Sequence, residues 1–274
     1  MKAYYSWNKG TSSMSETVRN LEYGARWLRD GLHESVQAGG FEALEVDVAA
    51  ASQILKQLKA AGQGITWTHV FVRAAALTLA RNPDLHQLVA GNRKIHPASV
   101  DICLSVAGDS SVTPVVIIED AANKDVFAIA ADVLRRSPQA VRENEQLLAA
   151  LNRWGWIIPL SGLRRRLMRF LLNRIWYRRK VSGTFQVTCV PQVDAAVPLL
   201  FNTSAALGIG RVKDRVVAVD GVPAVRPMVT MTCCVDHSVW NGMDAAKFLI
   251  GVRQILESGE FAPKPTLAST LPVR

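Results

Sequence analysis

The sequence predicts an α+β protein in which helices pack on one side of a mixed β-sheet. Apolar residues alternate with polar ones in several short segments, as in strands, and recur with a helical period in others. The two kinds of segment follow one another without the regular strand–helix alternation that produces a doubly wound parallel sheet. The chain has 274 residues, of which 49% are hydrophobic and 20% charged, so it can bury the core that such a sheet needs.

The first half of the chain is predicted to contain three strands and four helices. Gly62 and Gly64 end one helix, Thr66 or Thr68 caps the next, and Asn82-Pro83 ends that one. In chain order, the predicted elements are a helix at 15–36, a strand at 42–49, helices at 49–61 and 70–79, strands at 100–107 and 113–118, and a helix at 124–135.

The second half is predicted to add five strands and a C-terminal helix. Asp220-Gly221 lies between two apolar segments and therefore predicts a hairpin turn. The predicted elements are strands at 183–190, 205–209, 215–219, 222–225 and 229–235, and a helix at 243–258 with apolar residues at i, i+3, i+4 and i+7. The domain boundaries that we expect are an N-terminal arm at 1–40, one domain at 41–260 and a C-terminal tail at 261–274.

Composition excludes several classes of protein. The first fifteen residues lack the apolar stretch of a signal peptide, and no uncharged apolar run reaches the 18 residues of a membrane-spanning helix. We therefore expect a cytoplasmic protein with reduced cysteines and no metal site. The cysteines lie in apolar segments without the spacing of a zinc or redox motif, at Cys103, Cys189, Cys233 and Cys234.

The net charge of +9 comes from one segment. No acidic residue occurs between Glu145 and Asp194, whereas nine basic residues do. The rest of the chain has 23 basic and 23 acidic residues, so it is neutral overall. The high isoelectric point therefore describes a local basic segment at 153–180 and not a basic protein.

This basic segment is predicted to include an amphipathic helix from Leu163, flanked by tryptophans. Its apolar side chains are predicted to share one broad face, which Arg164 and Arg174 interrupt, with the other arginines of the helix opposite. A cationic amphipathic helix of this kind suits an anionic membrane surface, and we expect a peripheral position on the inner face of the membrane. The expected contact residues are Arg165, Arg166, Arg169 and Trp176. A helix that packs on the protein with a solvated basic face explains the pattern equally well, whereas nucleic acid would leave the apolar half uncovered.

The segment at 233–242 contains the most informative candidate for catalysis. His237 ends an apolar strand, and Asn241 and Gly242 follow four and five residues later. A histidine can accept a proton from a thiol, a hydroxyl or an amine at neutral pH. The glycine permits a sharp turn or close approach of a ligand. A structural histidine at a strand end shows the same pattern, so this motif alone leaves both interpretations open.

Five short segments follow one another in an order that is typical of one enzyme family. Val-Asp-Ile at 100–102 and Thr-Pro-Val-Val at 113–116 are similar to the family's Val-Asp-Ile and Thr-Pro-Val-Ile. The strand Gly-Thr-Phe-Gln-Val-Thr at 183–188 is similar to Gly-Thr-Phe-Thr-Ile-Ser. The segment 202–210 is similar to Asn-Pro-Pro-x-x-Ala-Ile-Leu-Gly-Val-Gly, and 236–249 to Asp-His-Arg-x-x-Asp-Gly-Ala-x-Ala-Ala-x-Phe-Leu.

On these motifs the chain resembles the catalytic domain of the dihydrolipoyl acyltransferases of 2-oxoacid dehydrogenase complexes, over about residues 40–150 and 181–260. That family shares its two-layer sandwich with chloramphenicol acetyltransferase. The resemblance implies transfer of an acyl group between coenzyme A, or an acyl-carrier thioester, and a thiol, alcohol or amine. It also implies a homotrimer with coenzyme A as a substrate and no metal.

The resemblance assigns roles to individual residues. His237 takes the place of the general base, and Thr188 that of a serine hydroxyl that stabilises the oxyanion. In the family, the histidine of one chain faces the hydroxyl of a neighbour. Asn241 stands where most members have aspartate, and it is expected either to bind substrate or to hold the turn. The expected substrate or coenzyme A contacts are Gly242, Cys189 and Gly208.

Several positions depart from the family pattern, which implies a diverged member with a different donor or acceptor. Ser238 replaces an arginine, Thr203-Ser204 replace two prolines, and Cys189-Val190 replace Asn-Leu. The arm at 1–40 is too short for a lipoyl domain, so no lipoyl group is expected on this chain. Two alternatives are a non-catalytic trimeric scaffold that binds a membrane or protein partner through 153–180, and a peptide-synthetase condensation enzyme. The latter fuses two copies of the fold, so the length of this chain argues against it.

Overall fold

The computed structural model describes residues 22–35, 39–62, 64–90, 93–108 and 112–263. These residues form nine strands and seven α-helices, joined in places by short 3-10 turns. The strands are β1 Gly39–Asp47, β2 Leu88–Ala90, β3 Arg93–Ile95, β4 Ile102–Ser105, β5 Val115–Ile118, β6 Phe185–Cys189, β7 Ala205–Ile209, β8 Lys213–Val219 and β9 Val222–Asp236. The helices are α1 Tyr23–Ser35, α2 Ala49–Ala60, α3 Trp67–Arg81, α4 Val126–Trp154, α5 Ser161–Leu172, α6 Ile175–Ser182 and α7 Gly242–Ser258.

Seven strands form one mixed sheet in the order β1-β9-β7-β6-β4-β5, with β8 paired to β9. The β4–β6 and β6–β7 pairs are parallel and the other pairs are antiparallel. β2 and β3 form a separate two-stranded ribbon. A mixed sheet with helices confirms the predicted α+β class.

β9 is the central organising strand because it pairs with three others. Its first half forms the predicted hairpin with β8 through Asp220 and Gly221, which both have positive φ. Its second half lies between β1 and β7. Two separate strands were predicted here, at 222–225 and 229–235. That division is wrong, because the structure has one continuous strand of fifteen residues.

The core lies between the sheet and three helices, α2, α3 and α7. Alternate residues of β9, such as Met231 and Cys233, point toward these helices and are fully buried, as are Phe71 and Phe248. On the opposite face, the segment 191–204 covers β7 and β9. Burial of this face explains Gly208, because a Cβ there would collide with the carbonyl oxygen of Ala196.

α4 extends far beyond the predicted 124–135 and ends at Trp154. Only its first turns are buried against the sheet, through Val126, Ile129 and Asp132. Apolar residues that recur with a helical period are the sequence evidence for a helix. In α4 this periodic pattern was followed only as far as the residues that are buried. α1 coincides with the end of the helix predicted at 15–36, and the predicted residues 15–21 lie outside the described residues, as does the tail from 264.

Candidate active site

The turn that carries His237 is held by Asp236. The buried carboxylate of Asp236 accepts the N–H of Ser238 at 2.9 Å, and its backbone carbonyl accepts the N–H groups of Val239 and Trp240. These bonds close a tight turn between β9 and α7. They leave the imidazole of His237 exposed to solvent at the end of the strand, where a substrate can reach it.

The imidazole lies across β1, which has a glycine at the point of contact. Gly40 pairs with Val235, and a Cβ built on Gly40 would lie 2.7 Å from Nε2 of His237. Real Cβ atoms do not approach a nitrogen this closely, so only a glycine admits the ring in this orientation. Gly40 could not be singled out from the sequence, because the contact arises only when the two strands pair.

Asn241 is the N-cap residue of α7. Its Oδ1 accepts the N–H of Asp244 at 3.0 Å, and the Asp244 carboxylate accepts the N–H of Asn241 at 2.9 Å. This reciprocal pair is a capping box, which fixes the start of the helix. Gly242 follows, and a Cβ there would lie 3.1 Å from the carboxylate of Glu42. The structure thus accounts for Asn241 as a holder of the turn.

Thr188 lies near the end of β6, and its hydroxyl has a partner that sequence reasoning missed. The Oγ of Ser105, on the adjacent strand β4, lies 3.1 Å from the Oγ1 of Thr188. Either hydroxyl can donate in this bond. When Ser105 donates, the Thr188 hydrogen is available for another acceptor, such as an oxyanion.

His237 and Thr188 are far apart within one chain. Strand pairing aligns Thr188 with Gly208, and Gly208 with Thr232. His237 follows Thr232 by five residues, and at about 3.3 Å per residue this separates it from Thr188 by roughly 16 Å along the strands. The two residues also lie two strands apart, on β6 and after β9, which separates them further. A single chain therefore does not bring these two side chains to one reacting atom.

Cys189, next to Thr188, is present as a thiol. Burial raises its pKa to about 12, against the opposite effect of a hydrogen bond with Thr68. The thiolate is the nucleophilic form of cysteine, so Cys189 is unsuited to covalent catalysis at neutral pH. Within the described ranges, no group of three or more His, Cys, Asp or Glu side chains could hold a metal ion.

The basic segment packs through its arginines as well as through part of the predicted apolar face, of which Leu167, Met168 and Leu171 are half-buried. Arg164 is buried and binds Asp30 of α1 at 2.7 Å. Arg165 and Arg169 bind the two oxygens of Glu34 at 3.0 and 2.8 Å. The hydrogen bond from Arg169 is the main cause that lowers the pKa of Glu34, and it outweighs the opposite effect of burial.

The other predicted contact residues of this segment lie apart from those pairs. Arg166 is exposed and lines a groove of about 560 Å³ with Arg165 and Arg169. Trp176 lines a different groove, of about 430 Å³, together with Asp101 and Arg179. The four residues therefore do not form a single patch. In the part of the chain that the structure covers, no helix is both long and apolar enough to cross a membrane.

α6 connects the basic segment to the rest of the domain. Arg179 binds the carboxylate of Asp101 at 2.6 Å, and Arg178 is buried and donates to the carbonyl oxygens of Leu172 and Val89. Burial lowers the pKa of Arg178, and the negative charge of Asp236 opposes that shift. α6 thus places a positive charge near the carboxylate that holds the His237 turn.

The chain matches the family model of the 2-oxoacid dehydrogenases acyltransferase (catalytic domain) over residues 32–148 and 182–262. The basic segment falls in the unmatched interval. Among curated relatives, the chain is 28% identical over 201 residues to the lipoamide acyltransferase component of the branched-chain alpha-keto acid dehydrogenase complex of Bacillus subtilis. It is 24% identical over 241 residues to the dihydrolipoyllysine-residue succinyltransferase component of the 2-oxoglutarate dehydrogenase complex of Bartonella vinsonii.

These alignments cover 73% and 86% of this chain but 41% and 51% of the relatives, so the chain spans about half the length of the curated relatives that it matches. The fold is similar to the dihydrolipoamide acetyltransferase of Azotobacter vinelandii, with a TM-score of 0.69, 18% identity and coverage of 95% and 98%. It is also similar to a catalytic core from Thermoplasma acidophilum, with a TM-score of 0.66, 19% identity and coverage of 88% and 98%.

Proposed function

The chain belongs to the 2-oxoacid dehydrogenases acyltransferase (catalytic domain) family, and we propose that it transfers an acyl group between coenzyme A and a second thiol. The observation that carries this proposal is the exposed His237 in a turn that Asp236 fixes. A family match alone would also be compatible with a chain in which the general-base histidine is replaced. Here the base is retained, accessible and seated on Gly40.

In the proposed reaction, neutral His237 takes the proton from the attacking thiol, and the sulfur bonds to the thioester carbonyl carbon. The carbonyl oxygen becomes an oxyanion, which the Thr188 hydroxyl stabilises by donating a hydrogen bond. The oxyanion then collapses, the bond to the leaving sulfur breaks, and the imidazolium returns its proton to that sulfur. Ser105 supports this step by donating to the Thr188 oxygen, which leaves the Thr188 hydrogen for the oxyanion.

We propose a homotrimer because the two groups must come from different chains. His237 and Thr188 of one chain lie roughly 16 Å apart along the strands by strand geometry, which exceeds the reach of one thioester carbonyl. A neighbour that supplies Thr188 would complete the site. The solved relatives include one described as the cubic core of a pyruvate dehydrogenase multienzyme complex, so assembly of chains with this fold has a precedent.

The asparagine at 241 is compatible with this proposal. The Azotobacter vinelandii structure belongs to a study of the catalytic roles of a serine, a histidine and an asparagine, and its histidine and asparagine are four residues apart. His237 and Asn241 have the same spacing. Since Oδ1 of Asn241 is used in the capping box, its Nδ2 is the atom that remains to bind a substrate.

The first experiment measures acyl transfer from acetyl-, succinyl- and isobutyryl-coenzyme A to dihydrolipoamide, with products separated by chromatography. We expect transfer from at least one donor, and a loss of about 100-fold or more in His237→Ala. No transfer from any of these donors, or equal rates for the variant, would contradict the proposed activity. The expected contacts at Gly242, Cys189 and Gly208 and the cytoplasmic location stay predictions.

A second experiment tests the shared site by mixing two inactive variants. After co-refolding of His237→Ala and Thr188→Ala chains in equal amounts, some interfaces combine an intact histidine with an intact threonine. Random assortment predicts that about a quarter of the sites recover. If no activity returns although the mixed trimers form, the site lies within one chain and the intersubunit proposal fails.

A trimeric scaffold that binds a partner through 153–180 is the second candidate function. The comparisons do not favour it, and its one support is that the interval 149–181 lies outside the family match and exposes large apolar side chains. The two candidates differ in the first experiment, because a scaffold would show no transfer that depends on His237.

A further inference from the structure

A corner of the molecule exposes five large apolar side chains within ten residues. The corner consists of the end of α4, the short turn after it and the start of α5. The side chains are 53% to 68% exposed, and they are Trp154, Trp156, Ile157, Leu160 and Leu163. A monomeric surface rarely leaves so many large apolar groups side by side in water unless they contact something.

The corner is held rigidly from behind by α1 and by Arg164. The indole N–H of Trp27 donates to the carbonyl oxygen of Gly155 at 3.2 Å. The guanidinium of Arg164 donates to the carbonyl oxygens at 158 and 159, at 2.9 and 2.8 Å, while its Nε binds Asp30. These bonds pair the carbonyl oxygens of residues 155, 158 and 159 and tie the turn to α1 and Arg164.

The surface that continues from the corner along α5 is basic. Arg166 and Phe170 are exposed on it, and Arg166 lines the groove of about 560 Å³ with Arg165 and Arg169. Glu34 is the one acidic side chain that lines this groove, so three arginines leave a net positive charge. No acidic residue occurs between Glu145 and Asp194, hence nothing in the segment itself offsets that charge.

We propose that this corner and the exposed face of α5 dock on an anionic phospholipid bilayer. The tryptophans, isoleucine and leucines would enter the boundary between head groups and acyl chains, and Arg166 and Arg169 would bind lipid phosphates in the groove. The binding is peripheral and does not depend on acyl transfer.

The positive charge of the surface favours an anionic bilayer over a second copy of the chain or a terminal segment of the chain. A second copy of the chain in a two-fold contact would bring the same basic surface against itself, and like charges would repel. A cyclic trimer brings different surfaces together, and the oligomeric state of the corner variants tests that contact. Residues 1–21 contain three basic residues and one acidic residue, and residues 264–274 contain two basic residues and no acidic residue. Neither terminal segment supplies the negative charge that the surface requires, whereas an anionic bilayer does.

The test is flotation of the full chain with vesicles of phosphatidylcholine that contain phosphatidylglycerol, compared with phosphatidylcholine alone. We expect binding only to the anionic vesicles, with a loss at high salt. The double variant Ile157→Ser/Leu160→Ser should bind at least about tenfold more weakly, because two exposed apolar side chains no longer enter the bilayer. Arg166→Glu should weaken binding roughly tenfold by reversing one charge.

Matched controls keep the result specific. Leu134→Ser removes an apolar side chain that is 79% exposed on α4, and Arg142→Glu reverses an exposed charge there. Both should bind vesicles like the wild type. No flotation of the wild type, equal binding to neutral vesicles, or equal binding by the corner variants would overturn the proposal. A change in oligomeric state of the corner variants without lipid would assign the corner to contacts between copies and would also overturn it.

Discussion

The imidazole of His237 rests on Gly40, with Nε2 located 2.7 Å from the position that a Cβ of residue 40 would occupy. Gly40→Ala should therefore rotate the imidazole away while the β1–β9 pairing persists, because the exposed ring can move into solvent. A misplacement of about 1 Å commonly lowers a rate about 100-fold. We expect a loss of that order in kcat, a shifted NMR signal of the His237 ring, and an unchanged melting temperature.

Gly64→Ala is the matched control for Gly40→Ala. A Cβ at residue 64 would meet no atom within 4 Å, so the rate and the imidazole signal should not change. If Gly40→Ala transfers acyl groups at the wild-type rate while its His237 signal shifts, the position of the imidazole has no bearing on catalysis.

The hydroxyl pair of Ser105 and Thr188 leads to a second prediction. Thr188→Val removes the proposed oxyanion donor with little change in shape and should lower kcat about 100- to 1000-fold. Ser105→Ala should lower it about tenfold, because the Thr188 hydroxyl loses the partner at 3.1 Å that orients it.

The double variant separates this coupling from two independent effects. Once Thr188 is valine, Ser105→Ala should have little further effect on kcat. Fully additive effects on the logarithm of kcat would contradict a role of Ser105 through Thr188.

The buried pair of Arg164 and Asp30 gives a prediction about stability. Arg164→Ala removes the positive charge beside the buried Asp30 carboxylate, which keeps the hydrogen bond from Ser161, and should lower the free energy of unfolding by about 3 kcal/mol. The double variant Arg164→Leu/Asp30→Leu removes both charges and should recover much of that loss. Urea denaturation of the wild type, both single variants and the double variant measures these differences, and equal losses for the single and double variants would refute the prediction.

His86 should make folding stability depend on pH in a defined window. Burial lowers its pKa to about 4 in the folded chain, and its Nε2 shares a hydrogen bond of 2.8 Å with the Thr184 hydroxyl. The unfolded chain binds the proton more readily, so the contribution of His86 is complete above about pH 6.5 and falls as the pH decreases toward 4. The expected loss is about 3 kcal/mol.

His86→Gln should flatten the pH dependence of unfolding between about pH 6.5 and 4, whatever its own stability. His69, whose pKa is also lowered by burial, keeps its contribution in both proteins. The difference in slope between the two denaturation series therefore isolates His86, and equal slopes would show that His86 titrates alike in the folded and unfolded chains.

Sequence periodicity predicted the elements whose apolar residues face one core. The last helix and the strand at 205–209 agree with the structure to within one residue, since each has a buried face of its own. No residue of α4 beyond Asp132 is fully buried, and the predicted helix ended too early there. The spacing of His237 from Asn241 and Gly242 singled out the histidine as a candidate, and the family motifs added its role and singled out Thr188.

The sequence did not predict which distant segments pair with one another. Gly40 and Ser105 belong to the candidate site only through strand register, which a single sequence does not specify. The amphipathic pattern at 163–175 predicted an apolar packing face, but Arg164 is buried together with Leu172 because Asp30 supplies a matching charge on α1. A buried ion pair cannot be recognised from the periodicity of one partner.

The two neighbouring arginines of α6 make the basic segment an integral part of this domain. A shortened chain that joined α4 directly to β6 would leave the Asp101 carboxylate without Arg179 and the Val89 carbonyl oxygen without Arg178. Once such contacts exist, the segment can no longer be lost in a single deletion without a penalty in folding.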